Sequence, residues 1–408
     1  MAVNLSAPQR LEPIAGVRLA AVAAGIRKQG HLDLSLFELA ADSQVAARFT
    51  RNRFAAAPVI VARQHLSRAT PRYLLINSGN ANAGLGDGGV TAAQATCAAL
   101  AELTEAPVQS VLPFSTGVIG EPLPVERITA ALPGLLSGLD GANWLAVADA
   151  IRTTDTIAKG CSVTFQTAAG TATVTGIAKG SGMIRPDMAT MLAFVATDAT
   201  VSRQTLDRVL GDAVDGSFNR ITVDGDTSTN DACVLAATGA GRAVVDADRT
   251  ADVEALAAAV MTCCRHLAQA IVRDGEGATR FVTVTVKGAA TSDDARRVAY
   301  AVAHSPLVKT ALFAGDPNWG RILAAVGYAE TSKLDIDRVC IDLGDVCIVR
   351  GGTRAQEYTE DAGRAVMQRS EIEITIDLGL SESSVAPFQL WTTDFSYDYV
   401  RINAEYRS

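Results

Sequence analysis

The chain has 408 residues, enough for more than one hydrophobic core, and its 48% hydrophobic and 20% charged residues are those of an ordinary folded protein. A formal net charge of -8, without any run of Lys and Arg, opposes a phosphate backbone and excludes nucleic acid as the natural partner. Seven scattered cysteines, an odd number with no CxxC spacing, exclude a disulfide framework or a zinc site and read as free thiols of a reducing compartment.

The apolar stretch from Ile14 to Ile26 contains Arg18 and follows Glu12, which is the wrong flank for a secretory signal. No stretch approaches the roughly 20 apolar residues of a membrane helix, so a cytoplasmic protein is expected. Thr91 to Ala106 is Ala-rich with Leu100 and Leu103 on one face, and reads as a helix. Residues 125–152 supply one or two more, broken near Pro133 and Gly138–Gly141. Ser162–Phe165 and Thr171–Ile177 are β-rich runs joined through Ala169-Gly170, a hairpin signal. Met191–Thr197 reads as a buried strand, and Arg203–Val214 as a helix capped by Ser202.

The clearest helix covers 251–273, where Val253, Leu256, Val260, Cys263, Cys264, Leu267 and Ile271 share one face. Phe281–Val286 follows as a strand, and Lys287–Thr291 as a connection. From about residue 290 a smaller α/β unit is expected. Thr291 and Asp294 make a capping-box pattern, and Arg338–Val349 and Glu371–Leu378 read as strands. The second of these alternates, with Ile372, Ile374, Ile376 and Leu378 inward. The fold class is a mixed α/β layered protein, not a repeating βαβ chain.

There is no GxSxG elbow, P-loop, HExxH or dinucleotide GxGxxG. His31, His65, His266 and His304 stand in no constellation with Ser or Cys and an acid, so a histidine-based triad is not expected. The conspicuous segment is Lys179-Gly-Ser-Gly-Met-Ile-Arg-Pro-Asp-Met-Ala-Thr190-Met-Leu-Ala-Phe194. A Gly-rich turn, a Pro and a small residue precede a Thr that opens an apolar run, an arrangement suited to an N-terminal nucleophile. Thr190 Oγ can attack the carbonyl of Ala189, and the released α-amino group, with a reference pKa of about 7.7–8.0, can serve as base for its own hydroxyl. By spacing alone, Thr190 reads more readily as the β-branched residue that begins a strand.

The segment from Lys179 to Phe194 closely resembles the processing site of the glutamate N-acetyltransferase (ornithine acetyltransferase) family. The likeness continues through Asn77-Ser-Gly-Asn-Ala-Asn-Ala83, Ser115-Thr-Gly-Val-Ile-Gly120, Thr153-Thr-Asp-Thr156, Asp224-Gly-Asp-Thr-Ser-Thr-Asn-Asp231, Asp274-Gly-Glu-Gly277, Gly315-Asp-Pro-Asn-Trp-Gly-Arg321 and Tyr399 to Ser408. It implies the layered α/β fold shared with self-processing aminopeptidases. It also implies cleavage between Ala189 and Thr190, giving chains 1–189 and 190–408. The second would hold the nucleophile strand and helices (190–289) and the smaller unit (290–408). Family members assemble as two copies of each chain.

The same resemblance implies that Thr190 carries acetyl from N-acetylornithine to glutamate, with Thr116 (hydroxyl) and Gly117 (N–H) as the oxyanion hole. Thr153, Lys179, Glu276, Asn403 and Ser408 match substrate-binding positions. Lys179 suits a carboxylate and Glu276 an ornithine ammonium. No metal and no bound cofactor are implied, acetyl-CoA being at most a co-substrate. Asp187 stands where many members carry Asn, and Gly84-Leu-Gly-Asp-Gly88 is a variant segment. Other readings are a bifunctional member that also accepts acetyl-CoA, a self-processing aminopeptidase or amidohydrolase, and a non-catalytic binding protein.

Overall fold

The computed structural model describes residues 2–27, 30–185, 191–380 and 383–405. The chain divides into two compact units, one of Ser6–Asn219 and Asp226–Ile271, the other of Met1–Leu5, Arg220–Gly225 and Val272–Ser408.

The first unit opens with strands β1 (Val17–Val22), β2 (Leu34–Leu39) and β3 (Gln44–Phe49), then helix α1 (Ala57–Leu66), β4 (Tyr73–Asn80), α2 (Gly86–Thr104) and β5 (Val111–Val118). There follow α3 (Val125–Ser137), α4 (Trp144–Ala150), β6 (Lys159–Thr167), β7 (Gly170–Lys179), β8 (Leu192–Thr197), α5 (Arg203–Asp215), β9 (Ala232–Ala237) and α6 (Thr250–Arg273). The strands form two sheets, one in the order β1-β2-β4-β5 and one in the order β3-β9-β8-β7-β6.

The two-residue period of a strand sorts the side chains of the first sheet. Phe37, Leu74, Ile76, Leu112 and Phe114 turn toward the second sheet, where they share a core with Ile177, Leu192, Phe194 and Val234. Leu34, Leu36, Tyr73, Leu75 and Val111 turn the other way and bury Cys97 and Leu100 of α2 and Leu132 and Leu135 of α3. Phe194 sits at the centre of the inter-sheet core, with ring centroids 5.2 Å from Phe37 and 5.1 Å from Phe114. These are contact distances for aromatic pairs.

The expected β6–β7 hairpin is present, pairing Thr167 with Gly170 at its tip. Every residue of β8 is buried, and Ser202 caps α5 by accepting from the Thr205 N–H. Pro133 does not break the chain but lies inside α3, because Ile128, Leu132 and Leu135 are all buried around it. Burying such side chains is worth roughly 1.5–3 kcal/mol each, enough to offset a lost helical hydrogen bond. By length and composition α6 could cross a membrane, yet Leu256, Val260, Cys263, Cys264, Leu267 and Ile271 on one face are buried within the protein.

The second unit holds β10 (Phe281–Lys287), α7 (Ser292–His304), α8 (Pro306–Ala314), α9 (Trp319–Tyr328), β11 (Cys340–Leu343), β12 (Val346–Arg350) and β13 (Thr353–Arg354). It ends with α10 (Glu360–Met367), β14 (Glu371–Asp377), β15 (Phe388–Thr393) and α11 (Tyr397–Ala404). One sheet runs β13-β12-β11-β14-β10-β15, with β10 parallel to β14. Val282, Val284 and Val286 of β10 and Ile372, Ile374 and Ile376 of β14 pack with Val298 and Val302 of α7 and Ala325 and Val326 of α9.

The run Arg338–Val349, read as one strand, is a hairpin turning at Gly344, whose φ of 58° lies in the left-handed region. Alternation alone does not separate one long strand from two, whereas a glycine at positive φ specifies the turn. Thr291 caps α7 as expected. The Asp294 carboxylate also accepts from the Ser332 N–H and Oγ–H, both at 2.7 Å.

Truncating Phe194 to Ala removes the ring that both neighbouring aromatics contact. A loss of about 3–5 kcal/mol is expected, read as a lower midpoint in urea unfolding.

Candidate active site

The site of the first unit begins where β4 and β5 run parallel and end together. Asn77 accepts from Ser115 Oγ at 2.6 Å and donates to the Asn80 carbonyl at 2.8 Å. Asn80 donates to the carbonyls of Glu121 and Pro122, and Asn230 donates to those of Ala81 (2.7 Å) and Ser115 (2.9 Å). These amides supply donors to carbonyls that the irregular ends of β4 and β5 would otherwise bury unsatisfied.

The register slips at Gly79 and Asn80, and Gly117 faces Gly79 across the slip. Gly117 has φ +134°, and a Cβ there would stand 2.3 Å from the Gly79 carbonyl carbon. Glycine is therefore required by both backbone and space.

Thr116 is buried at this strand end, and its Oγ accepts from Lys179 Nζ at 3.2 Å. Lys179 closes β7, and Lys159 opens β6 on the neighbouring strand, so the hairpin carries both lysines to the same end. Lys179 Nζ also donates to Thr153 Oγ at 2.8 Å and lies 3.9 Å from Asp155 Oδ2. Asp155 Oδ1 accepts from Lys159 Nζ at 2.6 Å and the Gly180 N–H at 2.7 Å, and Oδ2 from the Thr153 N–H at 3.2 Å. The side chains of Asp155 and Lys159 are wholly buried, and that of Lys179 is 3% exposed. Burial alone would raise the Asp155 carboxyl, but Lys159, Lys179 and the Gly180 N–H together hold it below the usual carboxylate range.

Asp231 immediately precedes β9. Its Oδ1 accepts from the Met191 N–H at 3.1 Å, and Oδ2 is buried. Burial pushes this carboxyl well above its ordinary range, opposed by the Met191 N–H, Ser228 and Lys179. Asp231 thus holds the chain one residue past Thr190. Thr190 and Ala189 themselves, like Asp187 and Ser408, lie outside the described residues.

In the second unit Glu276 is buried, in the turn that follows α6. Asn403 on α11 donates to Glu276 Oε2 at 2.8 Å and to the Tyr399 carbonyl at 3.0 Å. The turn and the helix meet closely. Ser396 Oγ donates to the Gly277 carbonyl at 2.6 Å, and a Cβ on Gly277 would stand 2.5 Å from the Tyr399 nitrogen.

The structure thus brings together Thr116, Gly117, Thr153 and Lys179 in one unit, and Glu276 and Asn403 in the other. The sequence reading did not single out Asp155, Lys159 or Asp231. Two of them lay inside quoted motifs, and Asp231 carried a signal of its own as a lone carboxylate abutting the wholly buried run Ala232–Ala237. The histidines stay out of the site. His65 is buried with a ring nitrogen on the Val111 carbonyl, His304 meets Thr222, and His31 and His266 are exposed. Among the described residues no group of His, Cys, Asp or Glu is arranged to hold a metal, and the cysteines are free thiols.

The first unit is thus a layered α/β fold with a buried lysine–threonine cluster where β5 and β7 end. Residues 18–408 match the model of the ArgJ family. The chain is 54% identical to the arginine biosynthesis bifunctional protein ArgJ of Pseudomonas fluorescens (strain Pf0-1), and 53% identical to that of Pseudomonas syringae pv. tomato, with all of both chains covered in each case. It is also similar to the crystal structure of the arginine biosynthesis bifunctional protein argJ from Bacillus halodurans (36% identity, 52% of this chain and 97% of that one, TM-score 0.48). The chain belongs to the ArgJ family and is an acyltransferase of arginine biosynthesis.

Two outcomes are expected from the site's geometry. Gly117→Ala loses stability by at least about 1–3 kcal/mol from backbone strain alone. Gly120→Ala, at φ +85° with nothing within 4 Å of its Cβ, loses less, as paired urea titrations would show. For Asp231 the native carboxyl titrates above the unfolded value of about 3.9, so its stabilising share is full below that pH and is lost as pH rises toward the native value. The unfolding midpoint of Asp231→Asn should therefore gain on the wild type as pH is raised from about 4. A gap that stays constant across pH would contradict a protonated native Asp231.

Proposed function

We propose that the protein is a self-cleaving transferase that moves acetyl from N2-acetyl-L-ornithine to L-glutamate, yielding ornithine and N-acetylglutamate. Thr190 Oγ first attacks the Ala189 carbonyl, the amide becomes an ester, and water releases residues 1–189. The freed Thr190 amino group then accepts the hydroxyl proton as Oγ attacks the acetyl carbonyl of acetylornithine. Ornithine leaves with that proton, and the amine of glutamate attacks the acetyl ester in turn. Both halves use one nucleophile, which is ping-pong chemistry.

The observation that carries this reading is the contact between Lys179 Nζ and Thr116 Oγ. An ammonium can only donate, so it makes the hydroxyl oxygen its acceptor and leaves the hydroxyl proton for another partner. A buried hydroxyl so oriented is what a developing oxyanion needs, and Gly117 supplies the second donor through its N–H. Thr153 and Lys179 take the substrate carboxylate, Glu276 the ornithine ammonium, and Asn403 orients Glu276. Ser408 completes the binding set. The enzyme works without a metal or bound cofactor, in the cytoplasm, as two copies of each cleaved chain.

A second donor is favoured by the names of the relatives. Both Pseudomonas proteins are called bifunctional, which suits a site that also takes acetyl from acetyl-CoA.

Intact mass of wild type and Thr190→Ala tests the nucleophile. Two fragments meeting at Ala189/Thr190 are expected from the first and one uncut chain from the second. An active, uncut wild type would remove the amino-group base and the mechanism with it. Parallel lines in double-reciprocal plots test the ping-pong order. N-acetylglutamate formed from acetyl-CoA and glutamate alone would establish the second donor.

A further inference from the structure

The buried cluster holds two lysines and one aspartate, and the distances between them are unequal. Asp155 stands 2.6 Å from Lys159 Nζ and 3.9 Å from Lys179 Nζ. Coulomb attraction falls as the inverse of distance, so in a common dielectric Asp155 binds Lys159 about 1.5 times as strongly (3.9 over 2.6). Asp155 is further engaged by the N–H groups of Gly180 and Thr153. Lys179 meanwhile aims at the hydroxyls of Thr116 and Thr153. Counted by themselves, two lysines and one aspartate sum to +1, with Lys159 on Asp155 and Lys179 on Thr116.

We propose that Lys159 and Asp155 are positioning residues for acyl transfer: Lys159 takes up the Asp155 carboxylate, so that the Lys179 ammonium stays turned to Thr116 and orients its hydroxyl toward the reacting carbonyl oxygen. This rests on the oxyanion reading of Thr116 given above. Neither residue touches substrate. Each acts through Lys179. Without Lys159, Asp155 would draw Lys179 to itself, the trio would become neutral, and Thr116 would lose the donor that orients it. Self-cleavage draws on the same device, because its intermediate places an oxyanion on the Ala189 carbonyl.

The test is a charge cycle in the full-length protein: Lys159→Met (trio charge 0), Asp155→Asn (+2) and the double variant (+1). Rates of acetyl transfer from N2-acetylornithine to glutamate are expressed per cleaved chain, counted by intact mass, with the rate of self-cleavage as a second readout. Lys159→Met is expected to lower kcat on the order of 10- to 100-fold, approaching the loss of an oxyanion donor, and to raise KM as well because Lys179 also serves the substrate carboxylate. Adding Asp155→Asn to it should restore kcat to within about 5-fold of wild type, the signature of coupled sites.

A double variant as impaired as Lys159→Met, or more so, would overturn the proposal, since that is what two merely structural residues give. If Lys159→Met fails to fold, Lys159→Gln makes the same charge change while keeping a donor for Asp155. Thr116→Ala separates the two levels. Unchanged kcat there would remove the oxyanion reading itself, whereas a large loss there with no recovery in the double variant would remove only the roles of Lys159 and Asp155.

Discussion

Two ammonium groups and one carboxylate leave water together at one end of the β6–β7 hairpin, and much of the site's geometry is set by how they satisfy one another. Each buried ion costs several kcal/mol of hydration, recovered only if contacts are short and every remaining donor or acceptor is met. Asp155 meets this condition with Lys159, the Gly180 N–H and the Thr153 N–H. Lys179 meets it with the hydroxyls of Thr116 and Thr153. The turn before β6, the first residue of β6, the last of β7 and the end of β5 are thereby tied to one point. Removing Asp155 leaves two ammonium groups without their shared carboxylate, and breaking a buried pair in this way typically costs about 3–5 kcal/mol.

Around that point the fold supplies rigidity through backbone carbonyls. The asparagines of the Asn77–Ala83 segment, together with Asn230, spend their amide donors on backbone carbonyls rather than aiming them at a substrate. Such residues look functional in a sequence because polar side chains in an apolar context invite that reading. Their work is architectural: they hold β4 and β5 at a spacing that leaves no room for a Cβ on Gly117. The second unit repeats the device on a smaller scale, where Ser396 and Gly277 bring α11 against the turn carrying Glu276.

Asp231 illustrates the opposite economy. Its Oδ1 secures Met191 while burial of the carboxyl pushes it well above its ordinary range. A carboxyl pushed up, Asp231, and one held down, Asp155, thus coexist in one unit. The difference is local: Asp155 has two lysines beside it within 4 Å, and Asp231 has none at that range among the described residues.

Elements whose signal lies within one window of sequence were legible. The α6 face, the β6–β7 hairpin, the Ser202 and Thr291 caps and the alternation of β14 all follow from period and local turn chemistry. Pro133 and the Arg338–Val349 run were read too simply, because packing overrode the first and one glycine's φ decided the second. Ordered motifs along the chain also carried the resemblance to the acetyltransferase family, and with it Thr116, Gly117, Thr153, Lys179, Glu276 and Asn403 as positions to examine.

What no window could contain was the pairing of charges. Lys159 and Lys179 become neighbours only through the register of an antiparallel hairpin. Met191 reaches Asp231 only because β8 and β9 pair in parallel with Leu192 opposite Ala232. Sequence by itself determined which residue types were available and where strands and helices would form, since those depend on nearest neighbours in the chain. Tertiary structure alone decided which lysine sits closer to Asp155, which one meets Thr116, and which carboxyl burial pushes up, since those depend on distance and burial, and neither is a property of a sequence window.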